Sequence, residues 1–264
     1  MLSKNSPNQD EFIRNIRKAL GVAPDQRRNG QDLFPAEPTC DPAEIVKAVE
    51  NRTPDNRLKL LDMLMESAKS IQLNVIAVQD MVSASTAIAQ LVREKQPEWD
   101  TKKSLVTWRH PLIDGLHLPD VLLEQNIPVH VADLAEQGNL DEPVDARRRE
   151  IRSKVIESYI GVTSADFCIA ETATLVMKTK PGQGRSVSLV PSIHVAVIKL
   201  EQILTNLKEL YAVLQHDPRH REEGLTNCMT FISGPSKTAD IELVMVHGAH
   251  GPRELHLYVI TGIT

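Results

Sequence analysis

Three polar segments of this chain combine residue types that could do chemistry, and each sits where a strand is expected to end. The first is Gly161-Val162-Thr163-Ser164-Ala165-Asp166-Phe167-Cys168-Ile169-Ala170-Glu171-Thr172-Ala173-Thr174-Leu175-Val176. Glu171 lies between apolar runs, so its neighbours are expected to be buried. A carboxylate in such a place is paired, hydrogen-bonded or functional, because desolvation disfavours its charged form. It could act as nucleophile or general base, or accept backbone N–H groups in a tight turn; spacing favours neither. The second segment is Gly182-Gln183-Gly184-Arg185-Ser186, followed by Pro191-Ser192-Ile193-His194. Gly182 and Gly184 would let backbone N–H groups approach an anion, and Arg185 could hold a carboxylate or phosphate bidentately. The spacing is not GxGxxG, and a glycine turn joining two strands is the more frequent use of such residues. The third is Ser233-Gly234-Pro235-Ser236-Lys237-Thr238-Ala239-Asp240. Its turn could offer N–H groups to an anion beside Lys237, although the GxxxxGK[ST] spacing of a P-loop is absent.

Other constellations are weaker. His247, His250 and His256 are separated by glycines and Pro252, which excludes the helical histidine pair of a zincin. No GxSxG elbow is present. Cys40, Cys168 and Cys228 are the only cysteines, an odd count at wide spacing that fits neither a disulfide framework nor a four-thiolate cluster. No metal site and no cofactor is assigned to this chain, and a redox cluster would have to sit on another protein.

The elements that position these segments follow from periodicity. Phe12, Ile13, Ile16 and Leu20 recur at helical spacing over 10–20, with Gly21 behind them. Residues 22–40, with Pro24, Pro35, Pro38 and Gly30, read as a linker. The chain is thus expected to comprise an N-terminal helix-and-linker arm over 1–40 and an α/β domain over 41–264. The arm either packs on its own domain, the favoured alternative, or docks a partner. Asp41-Pro42-Ala43-Glu44 has the form of a helix start. A helix over 55–71 places Leu58, Leu61, Leu64, Met65, Ala68 and Ile71 on one face. A buried strand is expected at 73–78, a helix from Ser83 to Glu94, strands at 104–108 and 128–131, and a helix at 119–126. Residues 133–158 read as mostly helical. Their cluster of Arg147, Arg148, Arg149, Arg152 and Lys154 is balanced by Asp141, Glu142, Asp145 and Glu150, as on a solvated face. Glu201 to Gln215 reads as the clearest helix, and strands follow at 229–232 and 254–260, with an apolar run at 241–246. Strands alternating with helices predict an α/β fold built on a layered, mostly parallel sheet flanked by helices.

Composition narrows the function classes. The 264 residues carry 30 Lys+Arg against 35 Asp+Glu, a net charge of -5, which gives no global attraction to nucleic acid or anionic membranes. Aromatic residues are only 3%, too few for a stacking platform on single strands. No stretch approaches the ~20 apolar residues of a membrane span, and no signal peptide is visible. A cytoplasmic address is expected.

The same three segments resemble the signature stretches of the LUD-domain family, most closely its lactate-utilisation protein C branch. The resemblance covers most of residues 160–260, and the helix at 10–20 is similar to that branch's usual N-terminus. Ala173 departs from the pattern, which often has Gly there. The resemblance implies a fold similar to the NagB/RpiA/CoA-transferase-like group. It also implies a part in oxidising L-lactate to pyruvate with Cys-rich iron–sulfur partner subunits, the clusters lying on those partners. On this view Glu171 and His194 are the candidate catalytic residues. Thr172, Gly182, Gly184, Arg185, Ser236 and Lys237 would line a pocket for a small carboxylate beyond the strand ends. Two other functions compete: a free-standing CoA-transferase-like or isomerase-like enzyme using Glu171, and a regulatory module that binds a small acid without chemistry.

Overall fold

The computed structural model describes residues 7–19, 41–97, 102–134, 143–223, 228–239, 245–248 and 250–262. The chain divides into two compact units, Met1–Asp41 and Pro42–Thr264. In the first, helix α1 (Pro7–Ala19) has Phe12, Ile13 and Ile16 exposed. Gly21 and the 22–40 segment lie outside the described residues.

The second unit runs in the order α2 (Pro42–Glu50), α3 (Pro54–Ile71), β1 (Asn74–Val78), α4 (Met81–Glu94), β2 (Leu105–Thr107), α5 (Pro111–Asp114), α6 (Leu118–Leu122), β3 (Val129–Val131), α7 (Val144–Glu157), β4 (Ile160–Ser164), β5 (Phe167–Ile169) and β6 (Thr174–Lys178). It continues with α8 (Ser186–Leu189), β7 (Ile193–Lys199), β8 (Ile203–Leu204), α9 (Leu207–His216), α10 (Pro218–Glu223), β9 (Met229–Ile232), β10 (Lys237–Ala239), β11 (Met245–His247) and β12 (Glu254–Ile260).

Six strands form one sheet in the order β1-β12-β7-β4-β2-β3, with every pairing parallel. This is the mixed α/β architecture with a parallel sheet that the alternation of elements predicts. A parallel sheet is covered on both faces, and the central strands accordingly read as continuous apolar runs: Val195, Ala196, Val197 and Ile198 of β7 are all fully buried. On one face Tyr258 donates its hydroxyl to the Ala87 carbonyl of α4. On the other, α8 lies directly on Gly161 of β4, where a Cβ would sit 1.9 Å from the Val187 carbonyl oxygen. Glycine is required there because the helix backbone occupies the space a side chain would take. From β2 the chain steps outward to β3, then returns to β4 on the other side and continues inward. That reversal between β2 and β4 is a topological switch point, where open α/β sheets place their ligands at the carboxyl ends of the strands.

A second, four-stranded sheet has the order β8-β5-β6-β9. It grows from the segment after β4, which folds back as the antiparallel pair β5–β6. The periodicity of the sequence does not announce this sheet, and one expected helix yields to it. Residues 201–215 are not a single helix: Leu200–Gln202 is a 3-10 turn, Ile203–Leu204 pairs with β5, and α9 starts only after Asn206. The Asn206 side chain accepts from the N–H groups of Lys208 and Glu209, and so sets the true helix start. Likewise α4 is capped by Asp80, whose carboxylate accepts from Ser83 N, rather than opened by Ser83. The strand at 73–78 was expected to be buried, but β1 lies at the sheet edge with Asn74 and Ala77 exposed. Among the described residues, no helix is long and apolar enough to cross a membrane.

Candidate functional site

Glu171 and Thr172 sit at the tip between β5 and β6, both exposed although Ala170 and Ala173 beside them are fully buried. The Glu171 carboxylate accepts from Asn206 Nδ2 at 3.4 Å, and its backbone N–H donates to Thr205 O. The burial expected around it therefore encloses its neighbours and not the carboxylate itself. Ala173 holds a left-handed backbone, φ 47°, a conformation that costs a non-glycine residue roughly 1–2 kcal/mol. Beyond it, the Thr174 hydroxyl lies 2.8 Å from Thr172 Oγ1 and 2.7 Å from Ser233 Oγ, so the first and third polar segments meet.

His194 lies in the middle of the large sheet, fully buried, with Nε2 2.8 Å from Thr163 Oγ1. Its Nδ1 is also buried and has no partner. Burial, reinforced by the nearby His256, pushes its pKa down to about 3. An imidazole in this state is neutral throughout the physiological range and faces protein rather than solvent.

The third segment anchors at the amino ends of β7 and β12. Ser236 N donates to Pro252 O at 2.7 Å, Ser236 Oγ accepts from His250 N at 3.3 Å, and Arg253 N donates to Ser192 O at 2.7 Å. Lys237 opens β10 and is half-buried.

The glycine turn lies at the opposite end of the sheet. Gly182 O accepts from Arg109 N at 3.0 Å and Gln183 Nε2 donates to Arg109 O at 3.3 Å, which lays the turn over the end of β2. Gly182 has φ 72°, and a Cβ there would come 3.1 Å from Arg109 Cβ and 3.5 Å from Asp133 Cγ, just past β3. Gly184 follows, and the exposed Arg185 donates to Cys228 Sγ at 3.5 Å. Among the described residues, no hydrogen bond or ion pair joins Glu171, Thr172 or His194 to Arg185 or Lys237. The eight residues singled out in the sequence thus fall in four places: Glu171 and Thr172 at the β5–β6 tip, His194 inside the sheet, Gly182, Gly184 and Arg185 at one end of it, and Ser236 and Lys237 at the other.

What gathers at the switch point is a set the sequence reading passed over. Arg109 pairs with Asp114 at 2.9 Å and lies 4.0 Å from Asp133. Asp166, just beyond β4, accepts from Lys178 N at 2.7 Å and pairs with Lys180 at 3.1 Å. Between them stands His110. Its Nδ1 accepts from Leu112 N at 3.1 Å and caps α5, so the neutral ring carries its proton on Nε2. Burial lowers its pKa, against the pull of Asp166 and Asp114. The signal for two of these residues was available: Arg109 and His110 directly follow the strand expected at 104–108, where the carboxyl-end rule looks for ligands.

Asp166 also lines a cleft of about 830 Å³ between α2, the start of α3, β8 and α10. Arg52 forms one wall, bonded to Ile203 O, Thr205 Oγ1 and Glu209 Oε1. Arg219 pairs with Asp217 at 2.7 Å and with Glu50 at 3.4 Å, and its guanidinium bonds hold the Asp217 carboxyl below the usual carboxylate range. His220 packs edge-on to Phe167, ring centroids 5.1 Å apart, and lies 3.1 Å from the buried Lys178 Nζ through Nδ1. Among the described residues, no group of three or more His, Cys, Asp or Glu side chains is placed to hold a metal ion.

Comparison with known proteins adds context to this geometry. A family model described as LUD domain matches residues 61–260. A protein of Halalkalibacterium halodurans named Lactate utilization protein C is 35% identical over 57% of this chain and 59% of its own length. The chain spans about three-fifths of the length of the first such relatives it matches. A Geobacillus thermodenitrificans protein of the same name is 26% identical over 96% of both chains. Among solved structures, a DUF162 family protein from Deinococcus radiodurans superposes with a TM-score of 0.50 at 19% identity, over 77% of this chain and 98% of that one, and shares the fold.

Proposed function

This chain belongs to the LUD-domain family, and from that premise we propose that it serves in lactate utilisation, as a subunit of a cytoplasmic system that oxidises L-lactate to pyruvate beside Cys-rich iron–sulfur partners. The observation that carries the reading is the likeness to a relative named for lactate utilisation along 96% of both chains. Oxidation at C2 removes the hydroxyl proton, the C2 hydrogen and two electrons in all, and leaves the carbonyl of pyruvate. In this reading the electrons pass to clusters on the partner subunits, since three scattered cysteines here cannot ligate a four-thiolate cluster.

The switch-point groups suit the holding of a small carboxylate. Arg109 and Lys180 supply N–H donors that they share with their aspartate partners, Gly182 and Gly184 form a rim that backbone can approach, and neutral His110 presents Nε2–H as a donor rather than a base. Arg185 stands at the outer side of that rim. Buried His194 is a structural part of the sheet, and exposed Glu171 and Thr172, with Ser236 and Lys237, belong to a surface open to partners.

Isolation of a tagged chain from its host, gently and without oxygen, tests the proposal. The expected eluate contains a stoichiometric Cys-rich, iron-bearing partner whose clusters are reduced by L-lactate. A chain that elutes alone and iron-free under conditions that spare weak complexes would overturn it.

A further inference from the structure

The 830 Å³ cleft is a separate feature from the switch-point cluster, which it meets at Asp166. Its floor is the outer side of a second, smaller hydrophobic cluster: Val46, Phe167, Leu204 and Val213 belong to it, Val49 packs against it, and all five line the cleft. Around this apolar floor the charges nearly cancel. Glu50 and Asp217 share the single cation Arg219, Asp166 pairs with Lys180 and Arg52 with Glu209, while Glu201 lies 4.0 Å from Lys199. One cation of the lining is left without a partner. Arg57, half-buried in the first turn of α3, has no acidic or hydrogen-bonding partner for its guanidinium among the described residues. A half-buried cation without an acidic partner beside an apolar floor is an arrangement that favours a ligand with a carboxylate and an apolar body. The volume falls within the range that encloses ligands of drug size, far more than three-carbon lactate would fill.

We propose that this cleft binds a medium-chain monocarboxylate, with the carboxylate on Arg57 and the hydrocarbon body on the floor around Phe167 and Leu204. The site is distinct from the one assigned above to lactate, and its occupancy does not depend on the iron–sulfur reading.

The test is calorimetric titration of the full chain with octanoate, acetate, L-lactate and inorganic phosphate. Octanoate is expected to bind at one site, at least tenfold more tightly than acetate, L-lactate or phosphate. Arg57→Gln, which keeps a good helix former on α3, is expected to weaken octanoate tenfold or more with the urea unfolding midpoint unchanged. Val49→Glu, which puts a carboxylate on the floor, is expected to abolish binding. The proposal is overturned if octanoate does not bind, if Arg57→Gln binds it as well as the parent chain, or if phosphate and acetate bind as tightly as octanoate, which would make the site a plain anion site. Partner capture and lactate-driven cluster reduction are measured independently, so failure here leaves the lactate reading standing, and the reverse.

Discussion

Acid titration of His194 offers the sharpest quantitative check on the interior. Its ring is fully buried with a pKa near 3, whereas an unfolded chain gives it about 6.5. Above pH 6.5 neither state binds the proton, and the full stability is present. As pH falls from 6.5 towards 3, the unfolded chain takes up a proton that the folded one refuses. Stability is lost at about 1.4 kcal/mol per pH unit, with no further loss below the folded value. At pH 5 the His194 contribution is therefore a loss of about 2 kcal/mol. His110, His130 and His256 are also shifted down by burial, so the parent chain loses more than this in total. Comparison with His194→Gln isolates the one group, because the other terms cancel between the two proteins. The assay is urea unfolding at pH 7.5, 6 and 5, read by the fluorescence of buried Trp108. The stability advantage of the parent chain over His194→Gln should shrink by about 2 kcal/mol between pH 7.5 and 5. A difference constant to within about 0.5 kcal/mol across that range would refute the buried, neutral assignment. It would also reopen His194 as a proton carrier near neutral pH.

Two further outcomes follow from packing. Gly161→Ala places a methyl 1.9 Å from the Val187 carbonyl oxygen and 3.0 Å from Pro191 Cγ. It should cost about 3 kcal/mol, seen as a fall of roughly 6–12 °C in Tm; a fall below about 2 °C would mean that α8 does not press on β4 as described. Cys168 is fully buried and its thiol is pushed up by burial, whereas Cys228 is half-buried beside Arg185. Alkylation of the native chain followed by peptide mass spectrometry should label Cys228 readily and Cys168 only after unfolding, and prompt labelling of native Cys168 would contradict the core assignment.

The parallel sheet was legible because strands buried on both faces leave unbroken apolar runs, as in Val195–Ile198. The smaller sheet was not. Ile203 and Leu204 continue the apolar stripe of Leu207, Leu210 and Leu214, and only pairing with Cys168 and Ile169 makes them a strand. Local pattern cannot report a partner more than thirty residues away. The candidate site divides in the same manner. Arg109 and His110 stand one and two residues past the legible strand at 104–108, whereas Asp166 follows β4, which periodicity does not delimit. Arg52, Arg57 and His220 come from α2–α3 and α10, and only the packing of those helices around β8 brings their charges to one cleft. The glycine turn was picked out for its backbone freedom, which Gly182 does use at φ 72°. Glu171 was picked out for its apolar surroundings, but a tight turn can bury its flanks and still leave its tip in water.

The insertion of β12 between β1 and β7 has a consequence for biosynthesis. Val75 finds its ladder partner in Leu257, and Val195 finds one of its two in His256. While the ribosome is still adding the intervening chain, β1 has no neighbour at all and β7 presents a bare edge of unpaired amides and carbonyls. The large sheet can close only after translation has passed residue 260, so nascent chains carry the unpaired β7 edge from the completion of that strand at Lys199 until β12 is made. Such an edge recruits other strands, which makes holdase chaperones natural attendants of this fold at birth and makes any product terminated before Glu254 prone to aggregate.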